Sequence, residues 1–130
     1  MGIKDVSERP LFVFGTLRRG ECNHHLLAGR YDRHLPAVLH GFTRSEPLMI
    51  VRAPRDRVEG ELYFLSPAQA DQTLRDCDDL EGIPEGSLAG PEYRRIEVTV
   101  ETPEGSFAAW AYVHPATEVL LREDDQGGAS

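Results

Sequence analysis

The architecture turns on ten residues, Leu11-Phe12-Val13-Phe14-Gly15-Thr16-Leu17-Arg18-Arg19-Gly20. Four consecutive apolar residues, two of them phenylalanine, predict a short buried strand. It runs straight into a Gly-Thr-Leu-Arg-Arg-Gly turn, and Asn23 then stands where a short helix over His24–Leu27 can begin. A buried strand ending in a glycine turn ahead of a helix gathers unpaired backbone N–H groups at one point, which favours negative charge. The same spacing suits a plain strand-to-helix connection, and spacing alone leaves the two open. Nucleotide binding is excluded: a phosphate-binding P-loop continues Lys-Ser/Thr after its second glycine, and here Glu21-Cys22 follow Gly20.

Working outward, Ala37–Leu39 and Gly41–Thr43 predict a strand with a bend, and Leu48–Val51 a short apolar strand. Arg52–Arg57 reads as a solvated turn between them and the next strand, Val58–Leu65. In that strand Val58, Leu62 and Phe64 share one parity, with Glu59, Glu61 and Tyr63 on a wet face; Gly60 marks a bulge. Ser66-Pro67-Ala68-Gln69 carries a helix start, with Ser66 as N-cap, Pro67 at the first helical position and Gln69 closing a capping box. Ala70, Leu74 and Cys77 form the apolar stripe at i, i+4 and i+7, and Gly82 is the expected C-terminal glycine. The glycine- and proline-rich stretch 82–91 is a candidate lid. Tyr93–Glu101 then alternates, with Ile96, Val98 and Val100 on one side, and Thr102–Gly105 turns it into a partner strand, Phe107–Val113. Trp110 and Tyr112 share a parity and are expected to fill the core.

Residues 1–9 read as a flexible arm, 10–121 as one α+β domain, and 122–130 as an acidic, glycine-rich disordered tail. The domain expectation is about six mostly antiparallel strands, able to curl into a barrel, with two or three short helices. At 130 residues and 14.5 kDa the chain is long enough to bury a substantial core. No apolar run reaches the roughly 18 residues of a membrane span, and the first ten residues hold no signal-like apolar core, so the cytoplasm is the default. A net charge of −8 argues against a nucleic-acid partner, though not against a small anion in a locally positive pocket. Cys22 and Cys77 are expected as reduced thiols.

Among residues able to carry chemistry, the five histidines lack metal-ligand spacing and the serines lack a nucleophile-elbow context. Asp76, Asp78 and Asp79 read as decoration on the wet side of a helix end. Glu81 falls on the apolar stripe at i+11, where lost hydration raises a carboxyl's pKa and suits it to proton transfer. A helix that frays earlier would instead leave it exposed, and the sequence pattern leaves both open. Tyr93 opens a strand after the candidate lid, either as ordinary strand packing or as a hydroxyl in a pocket. Arg18 is either solvated or placed to steer a carboxylate.

Taken together, Val13–Gly20 with Asn23-His24, Val58–Tyr63, Leu80-Glu81-Gly82, Tyr93-Arg94-Arg95 and Ala109–Tyr112 resemble the γ-glutamylcyclotransferase-like (AIG2-like) family, over residues 11–114. The resemblance implies a small mixed, mostly antiparallel β-barrel flanked by short helices. It implies a γ-glutamyl cyclotransferase or γ-glutamylamine cyclotransferase, releasing 5-oxoproline and a free amine without metal or cofactor. A non-catalytic small-ligand binding domain on the same fold is the alternative. The family's Tyr-Gly-Ser/Thr-Leu substrate loop would match Phe14, Gly15, Thr16 and Leu17, with Arg18 and Tyr93 beside it, and its essential glutamate would match Glu81. Phe14 departs from the pattern, since the loop's usual tyrosine hydroxyl is missing there.

Overall fold

The computed structural model describes residues 9–14, 24–46 and 49–117. Five strands close into a barrel: β1 (Leu11–Val13), β2 (Tyr31–Glu46), β3 (Met49–Leu65), β4 (Arg94–Thr102) and β5 (Gly105–Val113), in the order β1-β3-β2-β4-β5. All neighbours are antiparallel except β1 and β5, whose parallel contact at Leu11 and Trp110 shuts the barrel. Among the described residues, a single 3-10 turn, His24–Leu26, precedes β2, and one α-helix, α1 (Ala70–Leu80), packs on the outside.

β1 and parts of β3 and β5 are covered on both faces, which divides the core in two. Inside, Phe12 and Phe14 meet Leu39, Phe42, Ile50, Leu62, Val100 and the small residues Ala109 and Ala111. Outside, Leu11, Val13, Tyr63, Trp110 and Tyr112 lie against Leu27, Leu74, Cys77 and Ile83. Hence β1 is apolar at every position: both parities are buried.

Three expectations need correction. Leu48–Val51 and Val58–Leu65 are not two strands separated by a turn; β3 runs through Arg52–Arg57. Arg52 pairs with Phe42 and Arg57 with His40, so residues 53–56 stand opposite Gly41, whose φ of 87° takes up the bend. Tyr63 is fully buried in the outer core, its ring against His24, Tyr31 and His34, rather than on a wet face. Gly60 is in regular register with Ala37, not in a bulge. It is glycine because a Cβ there would lie 2.3 Å from the Val13 carbonyl oxygen. Trp110 and Tyr112 fill the core as expected, in its outer part beside the helix, and the barrel lumen on β5 is filled by Ala109, Ala111 and Val113.

Candidate functional site

Helix α1 begins later than its sequence suggests. Gln69 is the N-cap without a side-chain bond, and the Ser66 hydroxyl bonds Asp32 Oδ1 at 2.9 Å, so no capping box forms. The C-terminus follows expectation closely. Gly82 adopts φ 77°, its N–H bonds the Asp79 carbonyl at 3.1 Å, and the Ile83 N–H bonds the Asp78 carbonyl at 2.9 Å. This is the double-bonded glycine termination of a helix, and buried Ile83 anchors it in the outer core beside Cys77.

Glu81 sits inside that closed turn as the C-cap, its N–H on the Cys77 carbonyl at 3.1 Å. Its side chain is half-buried. Burial, then the nearby charges of Asp78 and Glu92, push its carboxyl from an ordinary 4.5 up to about 7. The negative end of the helix acts in the same direction. The carboxyl is therefore poised to exchange a proton near neutral pH.

Asp78 is not wet decoration. It is buried, and its carboxylate accepts Arg95 Nε at 2.8 Å, Arg95 Nη2 at 2.9 Å and the Tyr112 hydroxyl at 2.6 Å. The Arg95 guanidinium lies 4.4 Å over the Trp110 ring. Asp78 falls four residues after Leu74 and eight after Ala70, so the helical spacing carried the signal that its residue type masked. Asp76 is also engaged, by Arg30 at 2.6 Å. Burial, with Asp78 and Glu81 next, pushes the Cys77 thiol up to about 12, which leaves it a packing residue without nucleophilic character.

The stretch after α1 is fastened at both ends. Gly90 stands so close to Gly82 that a Cβ on it would be 2.2 Å from the Gly82 oxygen. The Gly90 N–H bonds the Tyr93 carbonyl and the Arg95 N–H bonds the Leu88 carbonyl, each at 2.8 Å. A cavity of about 460 Å³ lies between this stretch and α1, with Leu74, Asp78, Ile83, Leu88 and Arg95 on its walls. Tyr93 packs half-buried on the outer core, and its neighbour Glu92 bears on Glu81, so this segment and the helix end come together.

Phe14 lies on the other side of the barrel wall. Its ring is buried in the lumen, its carbonyl accepts Arg44 Nη2 at 2.6 Å, and that guanidinium stands 5.3 Å from the ring. A cavity of about 630 Å³ opens nearby, with Arg44, Arg57, Glu59 and Glu61 among its walls. Gly15, Thr16, Leu17 and Arg18 lie outside the described residues. Among the described residues no group of three or more His, Cys, Asp or Glu has a metal-binding arrangement, and no helix is long and apolar enough to cross a membrane.

Comparison with known proteins gives this arrangement its context. A Vibrio cholerae protein named "Putative gamma-glutamylcyclotransferase" is 33% identical over 122 residues, covering 90% of this chain and 91% of that protein. The crystal structure of YkqA from Bacillus subtilis is similar with a TM-score of 0.64 and 26% identity over 85% of this chain, which spans only 37% of YkqA. A structure named "Gamma-glutamyl cyclotransferase" shares the fold, with a TM-score of 0.53, 20% identity and coverage of 85% of this chain and 68% of that one. Residues 11–128 match the family described as "Gamma-glutamyl cyclotransferase, AIG2-like", and the chain belongs to that family.

Proposed function

We propose that the protein is a γ-glutamyl cyclotransferase that cleaves a γ-glutamyl amide by intramolecular attack of the substrate's own α-amine. A bond forms between that nitrogen and the γ-carbonyl carbon, the bond from this carbon to the amide nitrogen breaks, and 5-oxoproline and a free amine leave. The proton lost by the α-ammonium ends on the departing amine. Glu81 carries it, first as base and then as acid, and its half-buried carboxyl with a pKa near 7 is the observation that supports this reading. The nucleophile belongs to the substrate, so high effective molarity supplies much of the rate. For the same reason the reaction asks for no metal or cofactor.

In this reading the backbone N–H groups of Gly15, Thr16 and Leu17 hold the α-carboxylate, with Arg18 beside them. Tyr93, half-buried on the outer core, borders the glutamyl group. The Phe14 ring packs into the lumen instead, so the hydroxyl of the family's loop has no counterpart at this position, and this bears on which amide is accepted more than on how it is cleaved.

The test is a panel of γ-glutamyl amines, γ-glutamyl amino acids and glutathione, incubated with wild type and Glu81→Gln. Wild type should release 5-oxoproline and the amine in equal amounts, and Glu81→Gln should be slower by about 10²- to 10⁴-fold, the usual worth of positioned acid–base catalysis. No 5-oxoproline from either protein would point to a binding domain on the same fold. Free glutamate in its place would indicate hydrolysis, and undiminished turnover by Glu81→Gln would remove Glu81 from the mechanism.

A further inference from the structure

Asp78 stands one helical turn before Glu81 and is tied to the barrel by donors from two strands. Arg95 on β4 and Tyr112 on β5 are direct cross-strand partners, so both rise from one point on the barrel's outer face. The Asp78 and Arg95 side chains are only 13% and 11% exposed. For an ion pair this dry, desolvation offsets much of the Coulomb attraction, so its net contribution to stability is small. What the forked guanidinium supplies is orientation. The element it orients is the last turn of α1, because the Asp78 carbonyl also receives the Ile83 N–H that closes the turn around Glu81.

We propose that Asp78, clamped by Arg95 and Tyr112, is a positioning residue that fixes the end of α1 and with it the place of the Glu81 carboxyl. The inference rests on Glu81 acting as the proton carrier, and deepens that reading by naming what holds it. Asp78 also acts through space. After burial, it is the larger of the two neighbouring charges that hold the proton on Glu81, the other being Glu92 from the segment before β4. The positive charge of Arg95, which would oppose this, is engaged by Asp78 itself.

The experiment follows the Glu81 carboxyl by ¹³C NMR across pH in the full chain, wild type and Asp78→Asn, and measures kcat and KM on the fastest γ-glutamyl amide of the panel. Asparagine keeps the shape and one acceptor but removes the charge. The Glu81 midpoint should fall by roughly half a unit to one unit, and kcat by about tenfold with KM within about twofold. A folded Asp78→Asn chain with an unchanged midpoint, or with unchanged kcat, overturns the proposal. Should that variant not fold, Tyr112→Phe removes only the hydroxyl donor. A kcat lower by about threefold or more at constant KM supports the proposal, and a wild-type kcat overturns it. If the wild type makes no 5-oxoproline, the proposed activity fails on its own, while the titration, which needs no substrate, still decides whether Asp78 governs Glu81.

Discussion

The two faces of the barrel wall are built on different rules, and β5 shows both on one strand. Its inward residues, Ala109, Ala111 and Val113, are small and apolar, and they interlock with Phe12, Leu62 and Val100 across the lumen. Its outward residues, Trp110 and Tyr112, are large and carry polar handles, and they meet α1. The lumen is shape-filling: the residues clustered there are all apolar, so it specifies volume and little else. The outer layer mixes Tyr63, Trp110, Tyr112 and Cys77 with the Asp78–Arg95 pair. The Tyr112 hydroxyl and the forked Arg95 guanidinium can be aimed, and here they are aimed at the end of the helix that carries Glu81. Stability and positioning are thus assigned to opposite sides of one sheet.

The sharpest way to break that division is to exchange its consequences. Glu81→Gln should remove about 10²- to 10⁴-fold of turnover and leave the fold intact, read by 5-oxoproline release beside a circular dichroism spectrum. Leu62→Ala, in the lumen, should do the reverse. It deletes a fully buried side chain and should cost about 2–5 kcal/mol in urea unfolding, with kcat of the folded fraction close to wild type. A large kcat loss in Leu62→Ala would mean that the lumen also positions the site.

Two glycines sharpen the comparison at smaller magnitude. Gly60→Ala places a Cβ 2.3 Å from the Val13 oxygen and 2.8 Å from the Phe12 ring, both held in the doubly buried β1, so β1 must shift at about 1–3 kcal/mol. Gly90→Ala meets the Gly82 oxygen at 2.2 Å and the Ile83 Cα at 3.1 Å, backbone of the turn that closes around Glu81, so that turn must shift. Its expected signature is a lower kcat from a displaced Glu81, with less stability lost than in Gly60→Ala. Thermal melts and initial rates on the two variants check this, and equal melting losses with equal rates would contradict it.

What was legible in the sequence follows the same split. The unbroken apolar run of β1 was legible as a buried strand, and wherever one period governed one face the pattern held: the Ile96, Val98 and Val100 alternation, the helical stripe and the Gly82 cap. It failed where a strand is covered twice, because alternation then no longer marks inside from outside. Tyr63 was assigned to the wrong face for that reason. The charged run Arg52–Arg57 read as a turn because charge was taken as a mark of loop, yet a two-stranded ribbon with wet faces accepts it. Ser66 had the composition of a cap but a stronger partner in Asp32, which lies 34 residues earlier. Asp78 occupied a buried helical position, and its partners lie 17 and 34 residues further on, a pairing that no local pattern encodes. For Glu81 the pattern left burial and exposure both open, and the structure makes it a half-buried C-cap just past the last helical residue.

The smallest effect separates the two layers by pH alone. Between about pH 4.5 and about pH 7 the folded chain keeps a proton on Glu81 that the unfolded chain has released. The native state therefore binds more protons than the unfolded state in this window, so stability falls as pH rises through it, and the penalty is complete above pH 7. Glutamine at this position has no such proton. Urea unfolding at about pH 5 should find wild type and Glu81→Gln nearly equal, and at about pH 8 should find the variant more stable by on the order of 2 kcal/mol, after discounting for the carboxyl's remaining contact with water. Leu62→Ala, which changes packing and no charge, should lower stability by the same amount at both pH values. A difference between wild type and Glu81→Gln that does not change with pH would show that the burial of Glu81 costs the fold nothing. The end of α1 would then be stable ground for a charge, and the outer layer would no longer be the face on which stability is given up for chemistry.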